Sequence, residues 1–203
     1  MFKKTLKLND YSPKLEIEKV GIELFQILRE YSECYFVGGY PRDLLVAKIL
    51  NKKNTISDVD IAIKHNNKDI KEFFDSKNLE YKILNEVFGV YAIDFKGYNF
   101  QIATYRKDGK ISNGRRPSSV KFLTSIRKDS KRRDFTINAI YFNPIHKIMY
   151  DFNNGIKDLK KERIRFIGNT EKRIKEDYLR ILRYIRFKNK YNLNSSDKDM
   201  FLI

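Results

Sequence analysis

The feature that most constrains the fold of this chain is an apolar segment that runs into two glycines and then into a helix. Residues 34–37 are apolar, Gly38 and Gly39 follow them, and Pro41 lies at the start of the next segment. Because a proline in a first helical turn costs no hydrogen bond, the pattern predicts a strand, a tight turn and a helix. The glycines serve either a turn with positive φ or the close approach of a phosphate to free helix N–H groups, with Arg42 beside them.

Two aspartates follow in a segment that alternates between polar and apolar residues. Asp58 and Asp60 are therefore expected on one side of a strand, with Val59 and Ile61 on the other. Neighbouring carboxylates repel each other, and a divalent cation or another counter-charge normally offsets that repulsion. A solvated polar face is the alternative for an isolated pair. Beside the glycine turn, the pair favours phosphoryl or nucleotidyl transfer, with both aspartates as metal ligands.

Along the rest of the chain the periodicity predicts an α+β fold, a mixed sheet with helices on one side. Two alternating runs joined by Lys96 and Gly97 indicate a hairpin. Residues 106–116 are rich in basic and turn-forming residues and indicate a mobile basic loop. A strand at residues 164–167 is expected to end the sheet, and one helix is expected over residues 170–191.

The charge of the chain indicates a polyanionic partner. Lysine and arginine total 42 against 26 aspartate and glutamate residues, a formal charge of +16. Nucleic acid is the expected partner. No membrane partner is expected, because the sequence has neither an apolar run of about eighteen residues nor an amphipathic basic helix. The lack of an apolar N-terminal signal and the single cysteine, Cys34, predict a reducing cytoplasm.

Four ordered motifs resemble those of the class II tRNA nucleotidyltransferase and bacterial poly(A) polymerase family. They are residues 38–43 with 58–60, residues 132–139, residues 158–168 and residues 176–180, and the resemblance covers roughly residues 34–190. It implies a palm-like nucleotidyltransferase head over residues 1–168. Residues 169–203 are then the beginning of an α-helical neck that carries a nucleotide-selecting helix.

The resemblance also implies roles for the motif residues. Asp58 and Asp60 are implied to be catalytic and to bind Mg²⁺. Nucleotide binding is implied for the glycine turn, the basic motif and the last helix, at Gly38, Gly39, Arg42, Arg132, Arg133, Asp134, Asn138, Asp177, Arg180 and Arg183.

Within that set the resemblance distinguishes sugar, phosphate and base contacts. Asp134 and Asn138 are one helical turn apart and are implied to read the sugar, while the arginines hold the triphosphate. Asp177 and Arg180 are expected at i and i+3 on one helix face, where an ion pair within the helix is the ordinary interpretation. The family instead uses the pair to read a base edge. A carboxylate acceptor beside a guanidinium donor accepts C and A, whereas U and G leave buried polar groups unpaired.

Gln101 departs from the family pattern, because many members carry a glutamate at this position. A neutral amide holds a cation less well than a carboxylate does. Glu86 and Asp94 are alternative carboxylates, although nothing in the sequence favours them over surface positions.

The implied function is template-independent addition of C and A to the 3′ end of tRNA from CTP and ATP, with release of pyrophosphate and two-metal-ion catalysis. The alternatives are addition of A only or of CC only, poly(A) polymerase, and a catalytically weak RNA-binding fragment. Residues 85–91 do not match the basic stretch that poly(A) polymerases carry, which favours tRNA. The loop at residues 106–116 is not shortened as it is in CC-adding members, which favours CCA or A addition.

Overall fold

The computed structural model describes residues 4–52, 58–66, 68–109 and 119–203. The strands are β1 (Lys4–Lys7), β2 (Cys34–Val37), β3 (Asp60–Ile63), β4 (Glu80–Asn85), β5 (Val90–Phe95), β6 (Tyr98–Thr104), β7 (Arg106–Asp108), β8 (Val120–Phe122), β9 (Ile140–Asn143) and β10 (Ile148–Asp151). Within the described ranges, eight of them form one sheet in the order β1-β10-β9-β2-β3-β6-β5-β4, and β7 pairs with β8 in a separate ribbon.

The centre of the sheet brings the glycine turn next to the aspartate segment. All four residues of β2 are buried, as expected for an apolar strand with a neighbour on each side. β3 pairs antiparallel with β2 and parallel with β6. The register places Asp60 between Val37 of β2 and Gln101 of β6. Asp60 therefore lies beside the last strand residue before the glycines.

The helices are α1 (Glu16–Tyr31), α2 (Gly39–Leu50), α3 (Ile70–Ser76), α4 (Ile126–Asp129), α5 (Gly155–Lys160), α6 (Thr170–Glu176), α7 (Leu179–Tyr191) and α8 (Asp197–Leu202), with 3-10 turns at Ser130–Arg132 and Thr136–Asn138. α1 buries one stripe because its apolar residues recur every three or four positions, and Leu24 and Leu28 are completely buried. The Glu18 carboxylate accepts the N–H of Leu15 at 2.8 Å and so satisfies a free donor at the helix N-terminus.

Two hydrophobic clusters lie on opposite faces of the sheet, because successive side chains of a strand alternate. The larger cluster contains Phe36, Ile61 and Phe142 together with the buried residues of the long helices. The smaller cluster contains Tyr35 of β2 and Ile126 of α4. The predicted α+β fold with a mixed sheet is confirmed. The long helices cover one face, and the short α4 lies against the other.

Three element predictions are corrected by the structure. Residues 164–167 do not form a strand, since only an isolated bridge joins Phe135 to Phe166 there. The predicted helix over residues 170–191 is two helices, because Asp177 has φ −161° and ψ 106° and interrupts the helical hydrogen bonding. Arg106–Asp108, which were predicted as loop, form β7. Residues 110–118 of the predicted loop lie outside the described residues.

The predicted hairpin is confirmed at Lys96 and Gly97. Both residues have positive φ, 50° and 80°, as a two-residue hairpin turn requires. None of the helices in the described ranges has the length and apolar composition needed to span a bilayer.

Candidate active site

The turn between β2 and α2 requires glycine for two separate reasons. Gly38 has φ 75° and ψ −118°, a backbone conformation that side chains strongly disfavour. A Cβ at this position would also lie 3.3 Å from Oδ2 of Asp60. The first backbone N–H groups of α2 therefore lie beside a carboxylate. This geometry is compatible with a turn that needs positive φ and also with a phosphate that approaches these N–H groups.

Asp60 is half-buried, and Asp58 is its nearest like charge in sequence. Burial raises the pKa of Asp60 above its usual range. The Asp58 carboxylate adds to this rise in pKa. The positive charges of Arg133, Arg42 and Arg183 oppose it, Arg133 most strongly. Asp58 is exposed and precedes β3, which begins at Asp60 and so does not contain both aspartates as predicted. The two aspartates still lie close enough to repel each other.

Oxygen donors on two neighbouring strands meet at this position. Gln101 lies opposite Asp60 in the parallel pairing of β3 and β6. Glu86 instead pairs with Lys71 at 3.1 Å, and Asp94 accepts from Asn99 at 2.9 Å, so both alternative carboxylates have surface partners. Among the described residues no three acidic, histidine or cysteine side chains cluster as a metal cage would require. Two carboxylates fit a cation such as Mg²⁺, which is usually held by one or two carboxylates together with substrate phosphates.

A buried carboxylate fixes the two arginines of the basic motif. Asp129 is completely buried, and its carboxylate lies 2.8 Å from Nε of Arg132 and 3.5 Å from Nη2 of Arg133. The Tyr141 hydroxyl also donates to it, and the Arg133 guanidinium lies over the Tyr141 ring. Burial alone would raise the pKa of Asp129, but Arg132, Arg133 and the hydrogen bonds outweigh burial and lower it.

A chain of hydrogen bonds joins the predicted sugar-reading residues to α2. Arg42 donates from Nη1 to Oδ1 of Asn138 at 2.7 Å, and Asn138 donates from Nδ2 to Oδ1 of Asp134 at 3.2 Å. Arg183 donates from Nε to the other oxygen of Asp134 at 2.7 Å. Asp134 precedes the 3-10 turn that contains Asn138 rather than sharing a regular helix with it. The structure nevertheless brings all four residues together.

Arg42 is buried against α7, with only 6% of its surface exposed. Its guanidinium lies 4.6 Å from the Phe187 ring centre and 5.1 Å from that of Tyr191. Nε donates to Oδ1 of Asp43 at 2.7 Å, and the Tyr191 hydroxyl donates to the same oxygen at 2.8 Å. Arg42 therefore connects the glycine turn to α7.

The last motif is arranged differently from the sequence prediction. Oδ1 of Asp177 accepts the N–H of Leu179 at 3.0 Å and so caps the start of α7. Arg180 donates from Nη1 to Glu176 at 2.8 Å and to the carbonyl of Arg173 at 2.7 Å. The expected placement of Asp177 and Arg180 on one helix face is wrong, because Asp177 lies between two helices.

Several residues at this site were missed by the sequence reasoning. Asp129 could have been found, because it precedes Arg132 and Arg133 by three and four residues, the spacing of ion pairs on one helical turn. Tyr191 could not have been found from the motifs, since its partner Asp43 is 148 positions away in sequence.

Comparison with known proteins supports one family. A family model described as "Poly A polymerase head domain" matches residues 34–165. The CCA-adding enzyme of Oceanobacillus iheyensis is 41% identical over 155 residues, which cover 76% of this chain and 36% of that enzyme. The CCA-adding enzyme of Lactobacillus helveticus is 37% identical over 166 residues, which cover 82% of this chain and 39% of that enzyme.

Solved structures agree with these relatives. The Bacillus stearothermophilus CCA-adding enzyme in complex with CTP matches with a TM-score of 0.76 at 28% identity, covering 94% of this chain and 43% of that one. The Thermotoga maritima CCA-adding enzyme complexed with tRNA matches with a TM-score of 0.69 at 28% identity, covering 98% and 44%. The chain thus spans 36–39% of the length of these two curated relatives.

Proposed function

The chain belongs to the poly A polymerase head domain family, and from that premise we propose that it is the catalytic head of a tRNA nucleotidyltransferase. It adds C and A to the 3′ end of tRNA from CTP and ATP. The proposal depends mainly on Asp60, because this half-buried carboxylate lies beside the N-terminus of α2 with Asp58 and Arg133 near it. Such a position brings a nucleotide phosphate, a cation and a reacting hydroxyl together.

Asp58 and Asp60 are proposed as the catalytic metal ligands, with Mg²⁺ as the ion. When bound, Mg²⁺ supplies charge neutralisation for the triphosphate and favours ionisation of the attacking 3′-hydroxyl. That hydroxyl oxygen forms a bond to the α-phosphorus, and the bond to the departing pyrophosphate breaks. Burial raises the proton affinity of the Asp60 carboxylate, so this residue gains most from a nearby cation. Gln101 is proposed to orient a water or a ribose.

The phosphates of the incoming nucleotide are proposed to lie against the glycine turn. Gly38 and Gly39 leave space for a phosphate at the free N–H groups of α2. Arg132 and Arg133 are held in fixed positions by Asp129 and present their charge without rearrangement. Arg183 is proposed to add positive charge from the α7 side.

We propose that one pair of residues contacts the sugar of the nucleotide and that a different pair recognises its base. The Asn138 carbonyl is occupied by Arg42, so its amide is oriented towards Asp134, and the two present a fixed donor and acceptor to the ribose. Arg42 thus contributes to nucleotide binding by orienting Asn138. Asp177 and Arg180 are proposed to select C and A, with Asp177 approaching the base amine from the break between α6 and α7.

The division of the chain follows from the same proposal. Residues 1–168 are the head, and residues 169–203 begin a helical neck. We place the protein in the cytoplasm, because the single cysteine is buried, and burial raises the pKa of its thiol and keeps it unreactive.

A non-catalytic RNA-binding module is the second candidate, and Gln101 is the observation that favours it. A site with one carboxylate fewer binds cations more weakly. The remaining alternatives are addition of A only, addition of CC only and poly(A) synthesis. They differ from the first proposal in the identity of the nucleotides that the protein incorporates.

One assay separates these candidates. The protein is incubated with Mg²⁺ and tRNA that lacks CCA, with each labelled nucleoside triphosphate singly and in pairs. We expect incorporation from CTP alone, incorporation from ATP only after CTP, and none in EDTA or with Asp60→Asn. Incorporation from ATP alone in long runs indicates poly(A) synthesis. If the wild type incorporates nothing but retains RNA binding, the non-catalytic candidate is correct.

A further inference from the structure

A large groove lies beside the candidate active site and is lined mostly by residues outside the active-site motifs, with Arg132 and Glu176 as the exceptions. Its walls are the ribbon of β7 and β8, the turn around Lys131 and the first turns of α6. It encloses about 1360 Å³. Small-molecule sites in proteins occupy roughly 300–1,000 Å³, so this groove suits an extended ligand better than a single nucleotide.

Lysines dominate the lining, and most of them are not neutralised. We call the feature the lysine groove after the six lysines that line it, Lys107, Lys121, Lys128, Lys131, Lys172 and Lys175. Among the described residues, only Lys175 of these six has a carboxylate within ion-pair distance, that of Glu171 at 2.6 Å. The other five present free positive charge to the groove.

The acidic residues of the groove do not offset this charge, because each is already engaged. Asp108 accepts from Arg106 at 3.1 Å, Glu171 pairs with Lys175, and Glu176 accepts from Arg180 at 2.8 Å. Unneutralised cations that face one concave surface attract a polyanion and release its counterions on binding. The charges of the lysine groove therefore fit a ligand that carries several negative groups.

The residue type indicates which polyanion fits. Lysine is a flexible point charge, whereas arginine has the planar fork that reads carboxylates or base edges in a fixed geometry. A row of lysines suits phosphodiester groups that are contacted without reading sequence. A second cavity of about 200 Å³ shares Lys131 with the lysine groove and adds Arg127, Arg165 and the Phe152 ring. Basic grooves with aromatic neighbours are typical of single-stranded nucleic acid binding.

The groove also reaches the candidate active site. Arg132 lines it and is bonded to the buried Asp129. Arg173 lines it as well, and its Nη2 donates to the carbonyl of Arg133 at 2.6 Å. A strand lying in the groove would therefore lead to the arginines proposed to hold the triphosphate.

We propose that the lysine groove binds the sugar-phosphate backbone of single-stranded RNA and directs its 3′ end to the active site. This inference rests on the proposed function, since it assigns the path of the RNA substrate. It adds Lys131 and Lys172 as RNA-binding residues.

The test measures RNA binding by the full chain in fluorescence anisotropy with an unstructured, labelled RNA of about twelve nucleotides. The double variant Lys131→Ala, Lys172→Ala removes two unpaired charges. Lys7→Ala, Lys82→Ala is the charge-matched control, because both are exposed lysines, on the edge strands β1 and β4, and neither lines the groove. At about 0.1 M salt we expect the groove double variant to bind roughly five- to tenfold more weakly and the control double variant to stay within about twofold of wild type.

The salt dependence gives a second readout. For a single strand, each phosphate contact contributes about 0.7 to the slope of log affinity against log salt, so the double variant should lose about 1.4. An equal loss in Lys7→Ala, Lys82→Ala, which removes the same number of charges, would mean that binding follows total charge, and the groove assignment would be overturned. Polyglutamate of matched length is the comparison ligand. If it binds as tightly as RNA and responds to the same variants, the groove is a general polyanion site and the RNA assignment fails.

CTP binding by the same proteins separates this inference from the proposed function. Absence of CTP binding in the wild type would remove the proposed function. Normal CTP binding in every variant, together with RNA binding that does not depend on Lys131 and Lys172, would remove only the groove. Both lysines are exposed and without ion-pair partners among the described residues, so the double variant is expected to melt within about 2 °C of wild type.

Discussion

Asp129 remains charged in a completely buried position because its partners replace water. A buried carboxylate without partners would cost several kcal/mol. Here two guanidinium groups, a tyrosine hydroxyl and the backbone N–H of Arg106 surround it. Because Asp129 is completely buried, it does not itself contact the proposed nucleotide site. It determines where Arg132 and Arg133 can point, and thus how rigidly the site presents positive charge.

Asp129→Asn should therefore destabilise the protein by about 3–5 kcal/mol at neutral pH, since it removes a completely buried charge and leaves two partly buried arginines without their counter-charge. The effect should depend on pH. The folded-state pKa of Asp129 lies below the ordinary value of 3.8, so the unfolded state binds the proton more tightly. The stabilisation that the Asp129 charge contributes is complete above the ordinary pKa of 3.8. It is lost as pH falls through the lower folded-state pKa.

Urea unfolding of wild type and Asp129→Asn at several pH values between 7 and 3 measures this difference. The gap in unfolding free energy should narrow in acid. Asp94→Asn is the control, because Asp94 is exposed and its replacement should change stability by less than about 0.5 kcal/mol. A gap that stays constant down to pH 3 would show that the Asp129 charge is not what stabilises the fold.

At the scale of elements, the sequence patterns correctly predicted those structures that interactions between near neighbours in sequence determine. The strand at residues 34–37, the glycine turn and the hairpin at Lys96 and Gly97 were predictable, because turn chemistry and apolar runs act between near neighbours in sequence. The break at Asp177 was not predictable in this way. Residues 170–191 have no glycine or proline, and the interruption coincides with contacts from Arg173 and Glu176 to distant or neighbouring segments.

The same limit of local patterns explains why a strand was wrongly predicted at residues 164–167. Ile164 and Phe166 are buried and alternate with less buried residues, so the pattern is that of a strand. Phe166 instead packs its ring on that of Tyr184 in α7, with the two ring centroids 5.4 Å apart. Alternation shows that one face is buried, but it does not show whether a sheet or a helix buries it.

Gly38→Ala tests the connection between the glycine turn and Asp60. The positive φ alone should cost about 1–3 kcal/mol of unfolding free energy, and the new Cβ would also crowd Oδ2 of Asp60. Gly97→Ala is a matched control, because Gly97 has φ 80° but nothing within 4 Å of an added Cβ. Both variants should lose stability in denaturant titration, and only Gly38→Ala should weaken CTP binding. Equal CTP affinity in the two variants would separate the turn from the nucleotide site.

Asp177 has a structural role that must be distinguished from base selection. Asp177→Ala removes the cap of α7 and should cost about 0.5–2 kcal/mol, whereas Asp177→Asn retains a good cap. If Asp177 accepts from the base amine, both variants should lose selectivity for CTP and ATP over UTP and GTP, by up to several powers of ten. Incorporation ratios and urea unfolding, measured on both variants, decide between the roles. Selectivity that remains intact in Asp177→Ala, which has no acceptor, would leave Asp177 as a cap.

At the scale of the whole molecule, α7 shares its core with the sheet. One hydrophobic cluster includes residues from Leu8 in the first segment to Leu193 after α7. Phe187 lies at the junction, 5.9 Å from the Phe135 ring and 4.6 Å from the Arg42 guanidinium. The proposed head and neck are therefore expected to unfold together in this chain.

Phe187→Ala tests that expectation. Removing a buried phenyl ring should cost about 3–5 kcal/mol, and at roughly 2–4 °C per kcal/mol the melting temperature should fall by about 10 °C. If the chain unfolds as one unit, hydrogen exchange should accelerate equally in α7 and in the buried strand β2. Leu182→Ala is the control on the same helix, because Leu182 is 64% exposed and should leave both measurements nearly unchanged. Faster exchange confined to α6 and α7 would instead mean that the neck segment unfolds independently while the sheet remains folded.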